Sequence, residues 1–212
     1  MPWLDTRAHF VSRIPRSGTL LDIGSSDGET LRHFAELRPD LKFFSTDLEG
    51  APQNYPPGCE FFRGDIQSQP LPWADGSMSG ITCMHLVEHL TDLSLLIREA
   101  KRLLRPGGMI YFETPHTKTV SLPSLVGKYT FDFTMNFFDD KTHTKPVVIE
   151  DLAAKLTGAG LEVIGSGTSR NLVFAASHLV YQFLPASRKK FTARAHWIGW
   201  SAYVMARKVG SV

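Results

Sequence analysis

Cysteine is scarce in this chain. Of 212 residues only Cys59 and Cys83 are cysteines, both in apolar runs and without the paired spacing of a metal site. That excludes a disulfide framework and suits a reducing compartment. Long apolar runs are missing too, since no uninterrupted stretch approaches the roughly 18 residues of a membrane span. Asp5 and Arg7 stand where a secretory leader would need apolar residues, so the expectation is a cytoplasmic chain. With 17 Gly and 13 Pro and no internal repeat, the chain is neither collagenous nor of low complexity. Finally, acid is absent from the last quarter. Residues 163–212 hold seven of the 23 bases and none of the 21 acids, +7 against −5 for residues 1–162, beneath a net charge of +2. An uneven charge of this kind calls for a physical reason.

What remains is a globular composition, 42% hydrophobic and 21% charged. A chain of this length can bury about 70% of its unfolded surface and needs no covalent staples. Strand-like segments recur at 19–23, 41–47, 60–64, 79–84, 109–114 and 161–166, each short, β-branched or aromatic and bounded by Gly, Pro or Asp. Between them lie helical patterns. Leu86, Leu90, Leu93, Ile97, Ala100 and Leu104 alternate at spacings of four and three, which predicts a helix over 88–104, stopped by Arg105-Pro106-Gly107-Gly108. Leu152 and Leu156 mark another over 149–157. Such alternation implies a mainly parallel sheet covered by helices on both faces, with ligands beyond the C-terminal strand ends. One connection, 116–148, is too long for an idle loop. It carries Phe131, Phe133, Phe137 and Phe138, which either line a pocket or anchor the segment to the core, so an ordered lid is expected. Trp3 and Phe10 sit in an expected N-terminal helical segment at 1–17, placed either to cover a ligand or to pack on the sheet.

The first strand ends in Asp22-x-Gly24-x-Ser26-x-Gly28, with a helix starting near Glu29. Glycines there let backbone approach a ligand, and the helix start offers unpaired N–H donors. The second strand ends at Asp47, where an acid can bond ribose hydroxyls, and the third leads into Asp65-Ile66. Three acid-terminated strands in succession form a joint pattern that ordinary turns do not predict.

These residues resemble the class I S-adenosylmethionine-dependent methyltransferases of the type 11 and type 23 domain group, over roughly residues 18–168. The Gly-rich loop is Leu21-Asp22-Ile23-Gly24-Ser25-Ser26-Asp27-Gly28. Leu71-Pro72-Trp73-Ala74-Asp75-Gly76 leads into the fourth strand, His85-Leu86-Val87-Glu88-His89-Leu90 follows it, and Leu103-Leu104-Arg105-Pro106-Gly107-Gly108 precedes the fifth. The resemblance implies a Rossmann-like three-layer α/β/α sandwich, with a mostly parallel seven-stranded sheet and an antiparallel last strand formed from 197–208. It implies one methyltransferase domain over 1–212: an N-terminal helical segment (1–17), a cofactor-binding half (18–115), a lid and acceptor insertion (116–148) and a C-terminal part (149–212). The implied cofactor is S-adenosyl-L-methionine, held by Asp22, Gly24, Ser25, Ser26, Gly28, Asp47, Leu48, Asp65, Ile66, Met84 and His85. Ser26 replaces the family's middle glycine, which bears on affinity rather than fold and speaks against a dinucleotide fingerprint.

The activity implied is methyl transfer to a small-molecule acceptor at oxygen, the acceptor being a sugar, a quinone precursor or another hydroxylated metabolite. The alternatives are N- or C-methylation, or cofactor binding without transfer. A hydroxyl acceptor needs a general base. His143, in Asp140-Lys141-Thr142-His143, ranks first and His116, after the fifth strand, second. No metal site is assigned, although His85, His89 and Asp92 would share a face if 85–92 were helical. In the basic quarter, residues 171–185 predict an extra amphipathic helix with Leu172, Ala175, Ala176, Leu179, Val180 and Phe183 on its apolar side. Arg188, Lys189, Lys190 and Arg194 follow. This region reads as a solvated edge, as a peripheral membrane contact, or as a site for an acidic acceptor; no RNA-binding motif accompanies it, which argues against nucleic acid.

Overall fold

A computed structural model describes residues 2–126 and 134–210. Seven strands form one sheet: β1 (Thr19–Ile23), β2 (Lys42–Asp47), β3 (Glu60–Arg63), β4 (Met78–Met84), β5 (Leu104–Pro115), β6 (Leu161–Ser169) and β7 (Ser201–Lys208). Their order is β3-β2-β1-β4-β5-β7-β6, and β7 runs antiparallel between β5 and β6. The order reverses between β1 and β4. A crevice opens where neighbouring connections leave to opposite faces, beyond the C-terminal strand ends.

Strand alternation sorts the core into two layers. Leu20 and Tyr111 pack on one face with Phe10 and Val11 of α1 (Thr6–Ser12) and Leu31 and Phe34 of α2 (Glu29–Leu37). Leu21, Ile110 and Phe112 point to the other face. There they meet Leu96, Ile97 and Ala100 of α3 (Ser94–Leu103) and Leu152 and Leu156 of α4 (Ile149–Gly158). Every residue of β4 is buried, as befits a central strand covered on both sides. Phe10 lies under the sheet against Tyr111, at 5.4 Å between ring centroids, whereas Trp3 is exposed.

Two expected boundaries shift. The helix over 88–104 begins only at Ser94. Its first turns cannot form because the Glu88 carbonyl accepts hydrogen bonds from Thr144 N at 2.8 Å and Thr144 Oγ1 at 2.9 Å. Asp92 then caps the late start by accepting from Ser94 N at 3.0 Å. The Arg105-Pro106-Gly107-Gly108 segment is taken into β5, with an irregular register opposite Met78 and Gly80.

Between β6 and β7 the chain forms a pair of helices, α5 (Leu172–Tyr181) and α6 (Arg188–Ile198). The second of these replaces the start of the expected last strand: Trp197 is helical, Gly199 ends the helix in a left-handed conformation at φ 66°, and β7 starts at Ser201. Phe191 of α6 packs with Leu125 and Met135, so the helix pair is tied to the segment after β5. In that segment Phe137 is buried and Phe138 exposed, while Phe131 and Phe133 lie outside the described residues.

Candidate active site

The Gly-rich loop joins β1 to α2 at the reversal point. Gly28 begins α2 at φ 74°, and a Cβ there would lie 2.5 Å from the Asn54 carbonyl oxygen, so the loop closes only around glycine. Ser26 takes φ 47° without being glycine. Its amide donates to Asp47 Oδ2 at 2.8 Å, which ties the loop to the end of β2. Tyr55 closes the other side by donating its hydroxyl to the Ser26 carbonyl and accepting from Ser25 Oγ, both at 3.0 Å. Nothing in the periodicity singles out Tyr55, which stands in an irregular Pro-rich turn.

Gly24, Asp47, Leu48, Asp65 and Ile66, expected at the cofactor site, line one cleft together with Thr46, Leu86 and His89. Asp47 and Asp65 each accept a local backbone N–H, from Glu49 and Gln67 at 2.9 and 2.8 Å, and so are held as fixed acceptors. Leu48 offers an exposed apolar side chain at the rim, and the buried Thr46 hydroxyl has no hydrogen-bond partner among the described residues. Paired acceptors, an apolar rim and an orphaned hydroxyl suit a nucleoside: ribose hydroxyls to donate, a flat base to cover Leu48. Asp22 lies behind this wall, buried on β1. Burial pushes its carboxyl up to about 7, against the bond donated by Thr82 Oγ1 at 2.7 Å and the charge of Arg7.

Met84 ends β4 and His85 follows it. His85 adopts φ 53° and lies between two buried carboxylates, with Nδ1 3.2 Å from Glu88 and Nε2 3.3 Å from Glu113. Burial alone would lower its pKa, but the bonds to Glu113 and Glu88 lift it to about 9. His85 is therefore an imidazolium near neutral pH and cannot serve as a base there. Glu113 also accepts from Arg7 of α1, from Tyr111 at 2.5 Å and from Ser169 at 2.7 Å. Burial opposes ionisation of this carboxyl, yet Arg7 and His85 hold it well below the ordinary carboxylate range. Arg7 and Glu113 are thus part of the site's electrostatics, although only a lone acid in an apolar strand signalled Glu113.

The two candidate bases stand in different surroundings. His116 lines a different cleft, with Thr117, Val147, Ile149 and Glu150. Burial and nearby Lys118 lower its pKa. Its Nδ1 accepts the Lys118 amide at 3.2 Å as a helix cap, which leaves the proton on Nε2. His143 has the opposite tautomer. Its Nδ1 lies 2.6 Å from the Phe137 carbonyl oxygen, which can only accept, so Nδ1 donates, while Nε2 lies 3.9 Å from Asp140 Oδ2. Its side chain is 5% exposed, against the Phe137 ring at 4.4 Å and the His89 ring at 4.8 Å.

His89 is oriented in the same way. Thr142 Oγ1 donates to Asp140 at 2.6 Å and so accepts from His89 Nδ1 at 2.9 Å. Because 85–92 is not helical, His85, His89 and Asp92 share no face. The fold instead gathers Glu88, His89 and His143, one ligand-type atom of each lying within 4.8 Å of the others, a group that could hold a divalent cation. Residues 54 positions apart meet here because Thr144 bonds back to the Glu88 carbonyl.

Comparison with known proteins agrees with this geometry. A family model described as a methyltransferase domain, type 23, matches residues 2–166. Among curated relatives, a ubiquinone biosynthesis O-methyltransferase of Paraburkholderia phymatum is 27% identical over 119 residues, 54% of this chain and 49% of that protein. The chain spans about half the length of the curated relatives it matches. A solved S-adenosylmethionine-dependent methyltransferase from Mesorhizobium loti superposes with TM-score 0.67 at 16% identity, covering 94% of this chain and 96% of that one. The geranyl diphosphate C-methyltransferase of Streptomyces coelicolor, solved with S-adenosyl-L-homocysteine, gives 0.62 at 13%, covering 95% and 78%. With a match over most of its length and a seven-stranded sheet of the same kind, the chain belongs to the type 23 methyltransferase-domain family, on the Rossmann-like fold of the S-adenosylmethionine-dependent methyltransferases.

Proposed function

We propose that the protein, as one cytoplasmic methyltransferase domain, transfers a methyl group from S-adenosyl-L-methionine to a hydroxyl oxygen of a small molecule. A quinone precursor is the foremost acceptor class, with sugars and other hydroxylated metabolites next. The observation that carries this reading is the cleft at the β1/β4 reversal, whose fixed acids Asp47 and Asp65 face a Gly-rich loop. O-methylation is supported by the names of curated relatives and by His143, a histidine oriented by its Nδ1–H bond to the Phe137 carbonyl.

When bound, the cofactor supplies a methyl already activated on a sulfonium. The chain's own work is placement and proton transfer. Asp47 accepts from the ribose, Leu48 and Ile66 flank the base, and the left-handed turns at Gly24 and Gly28 let backbone approach closely. Such alignment can supply several kcal/mol of the barrier, up to about 7–11. His143 takes the acceptor's hydroxyl proton at Nε2 as the oxygen attacks. Its Nδ1–H bond to the Phe137 carbonyl strengthens as the ring becomes positive.

One observation favours a second reading of the same centre. The grouping of Glu88, His89 and His143 would let a divalent cation bind the acceptor oxygens and lower the hydroxyl pKa in place of a base. Chelation separates the two: loss of turnover restored by added Mg²⁺ or Zn²⁺ favours the cation, and unchanged turnover favours His143 acting alone.

The overall test is calorimetry with S-adenosylhomocysteine, followed by a screen of hydroxylated acceptors with labelled S-adenosylmethionine. Micromolar binding and label on oxygen are expected. No binding would sink the cofactor site, and label on carbon or nitrogen would sink O-methylation.

A further inference from the structure

The extra helix expected over 171–185 is present, but its apolar side faces outward. Ala175 is the buried residue of α5, whereas Leu172, Val173, Leu179 and Val180 are exposed, and Phe183 just beyond the helix is 83% exposed. Spacings of seven, eight and eleven residues place these side chains on one helical stripe. Trp197 of the adjoining α6 is exposed as well. Single exposed apolar residues are ordinary, but a continuous stripe of large ones marks an interface.

The occupant is indicated by charge. Residues 171–187 contain no Asp, Glu, Lys or Arg, and the segment following them brings Arg188, Lys189, Lys190 and Arg194. Lys190 Nζ donates to the carbonyls of Gln182 and Leu184 at 3.0 and 2.7 Å, which fixes this basic segment beside the end of α5. Arg188 and Lys189 are exposed, and the ion pairs among the described residues all lie elsewhere. No acidic residue follows Glu162 to neutralise them.

We propose that α5, Phe183 and the basic start of α6 form a foot that docks this protein on an anionic lipid bilayer. The stripe enters the headgroup and acyl boundary while Arg188 and Lys189 meet lipid phosphates. With ten residues α5 is about 15 Å long, half of a bilayer core, so it lies in the interface and does not cross it. A second copy fits poorly, because a two-fold contact through this face would press two uncompensated basic segments together. The foot stands independently of the acceptor and of methyl transfer.

The test is co-sedimentation of the whole chain with phosphatidylcholine vesicles, with and without phosphatidylglycerol, at low and high salt. Binding to the anionic vesicles, weakened by salt, is expected. Val180→Asp combined with Phe183→Asp, and separately Arg188→Glu combined with Lys189→Glu, should each cut vesicle affinity about tenfold or more while S-adenosylhomocysteine affinity stays unchanged. The idea is overturned if the native chain ignores anionic vesicles at low salt, or if the apolar pair of substitutions leaves vesicle binding intact. A dimer dispersed by those substitutions, without vesicle binding, would assign the face to a second copy. Equal binding to soluble polyglutamate, insensitive to the apolar substitutions, would assign it to an acidic partner.

Discussion

Residues 18–115 and the quarter after Glu162 contribute to one sheet yet obey opposite rules. In the first, apolar side chains point inward and the strand ends are acidic: Asp22 is buried, and Asp47 and Asp65 open onto a cleft. In the second, β6 and β7 complete the sheet, while the helices between them leave Leu179, Val180 and Phe183 outside and carry base without acid. The difference shows that an apolar pattern identifies a face to be covered, and says nothing of what covers it. In α2 the covering is the sheet itself, through Leu31 and Phe34; in α5 nothing among the described residues covers Leu179 and Val180.

The sharpest way to test the chemistry of the first region is His143→Ala. With a transferable acceptor, kcat should fall by about 10²–10⁴ while S-adenosylhomocysteine affinity holds. Intact turnover would remove His143 from the mechanism. His116→Ala, whose Nδ1 only caps a turn, should leave turnover within a few-fold on the same assay.

Next in size is a pH effect on stability. The Asp22 carboxyl has an ordinary value of 3.8 and is raised to about 7 by burial, so the stability it brings as a neutral acid is full below pH 4 and lost as pH rises towards 7. Asp22→Asn removes that loss. Denaturant unfolding of the unliganded protein should show equal stabilities near pH 4 and an advantage for the variant of about 4 kcal/mol at pH 8, at 1.36 kcal/mol per pKa unit. No pH-dependent gap would mean that Asp22 is ionised in the fold.

Smaller again is Asp47→Ala, which deletes the ribose acceptor and the anchor for the Ser26 amide. Cofactor affinity should drop about tenfold by calorimetry, and unchanged affinity would displace the ribose site. The smallest effect belongs to the other region. Phe183→Ser should alter folding stability by less than about 0.5 kcal/mol in denaturant unfolding, because nothing in the fold covers that ring. A large loss would show that the stripe belongs to the core after all.

Much of the fold was legible along the chain. All six strands read from local periodicity and α4 are present, β5 beginning early at Leu104, because neighbours two or four residues apart suffice to define a strand or helix face. The cofactor-side acids were legible for a related reason, since strand ends and Gly-rich turns are local features. The start of α3 was not, because Thr144 takes the Glu88 carbonyl that the helix would have used. Nor was α6, whose basic run Arg188-Lys189-Lys190 carries little apolar periodicity and is set by Ser187, which accepts from the Lys190 amide.

The sequence by itself determined an α/β sheet, the acid-ended strands around Gly24 and Gly28, and the division of charge between body and tail. Only the tertiary structure decided that Nδ1 of His143 donates to a carbonyl while that of His116 accepts an amide, that Glu88 and His89 stand beside His143, and that the stripe of α5 faces outward. The reason is range. A turn or a strand end is specified by its near neighbours, whereas a tautomer is set by whichever carbonyl or amide the fold brings within 3 Å, and a face is covered only by what packs against it.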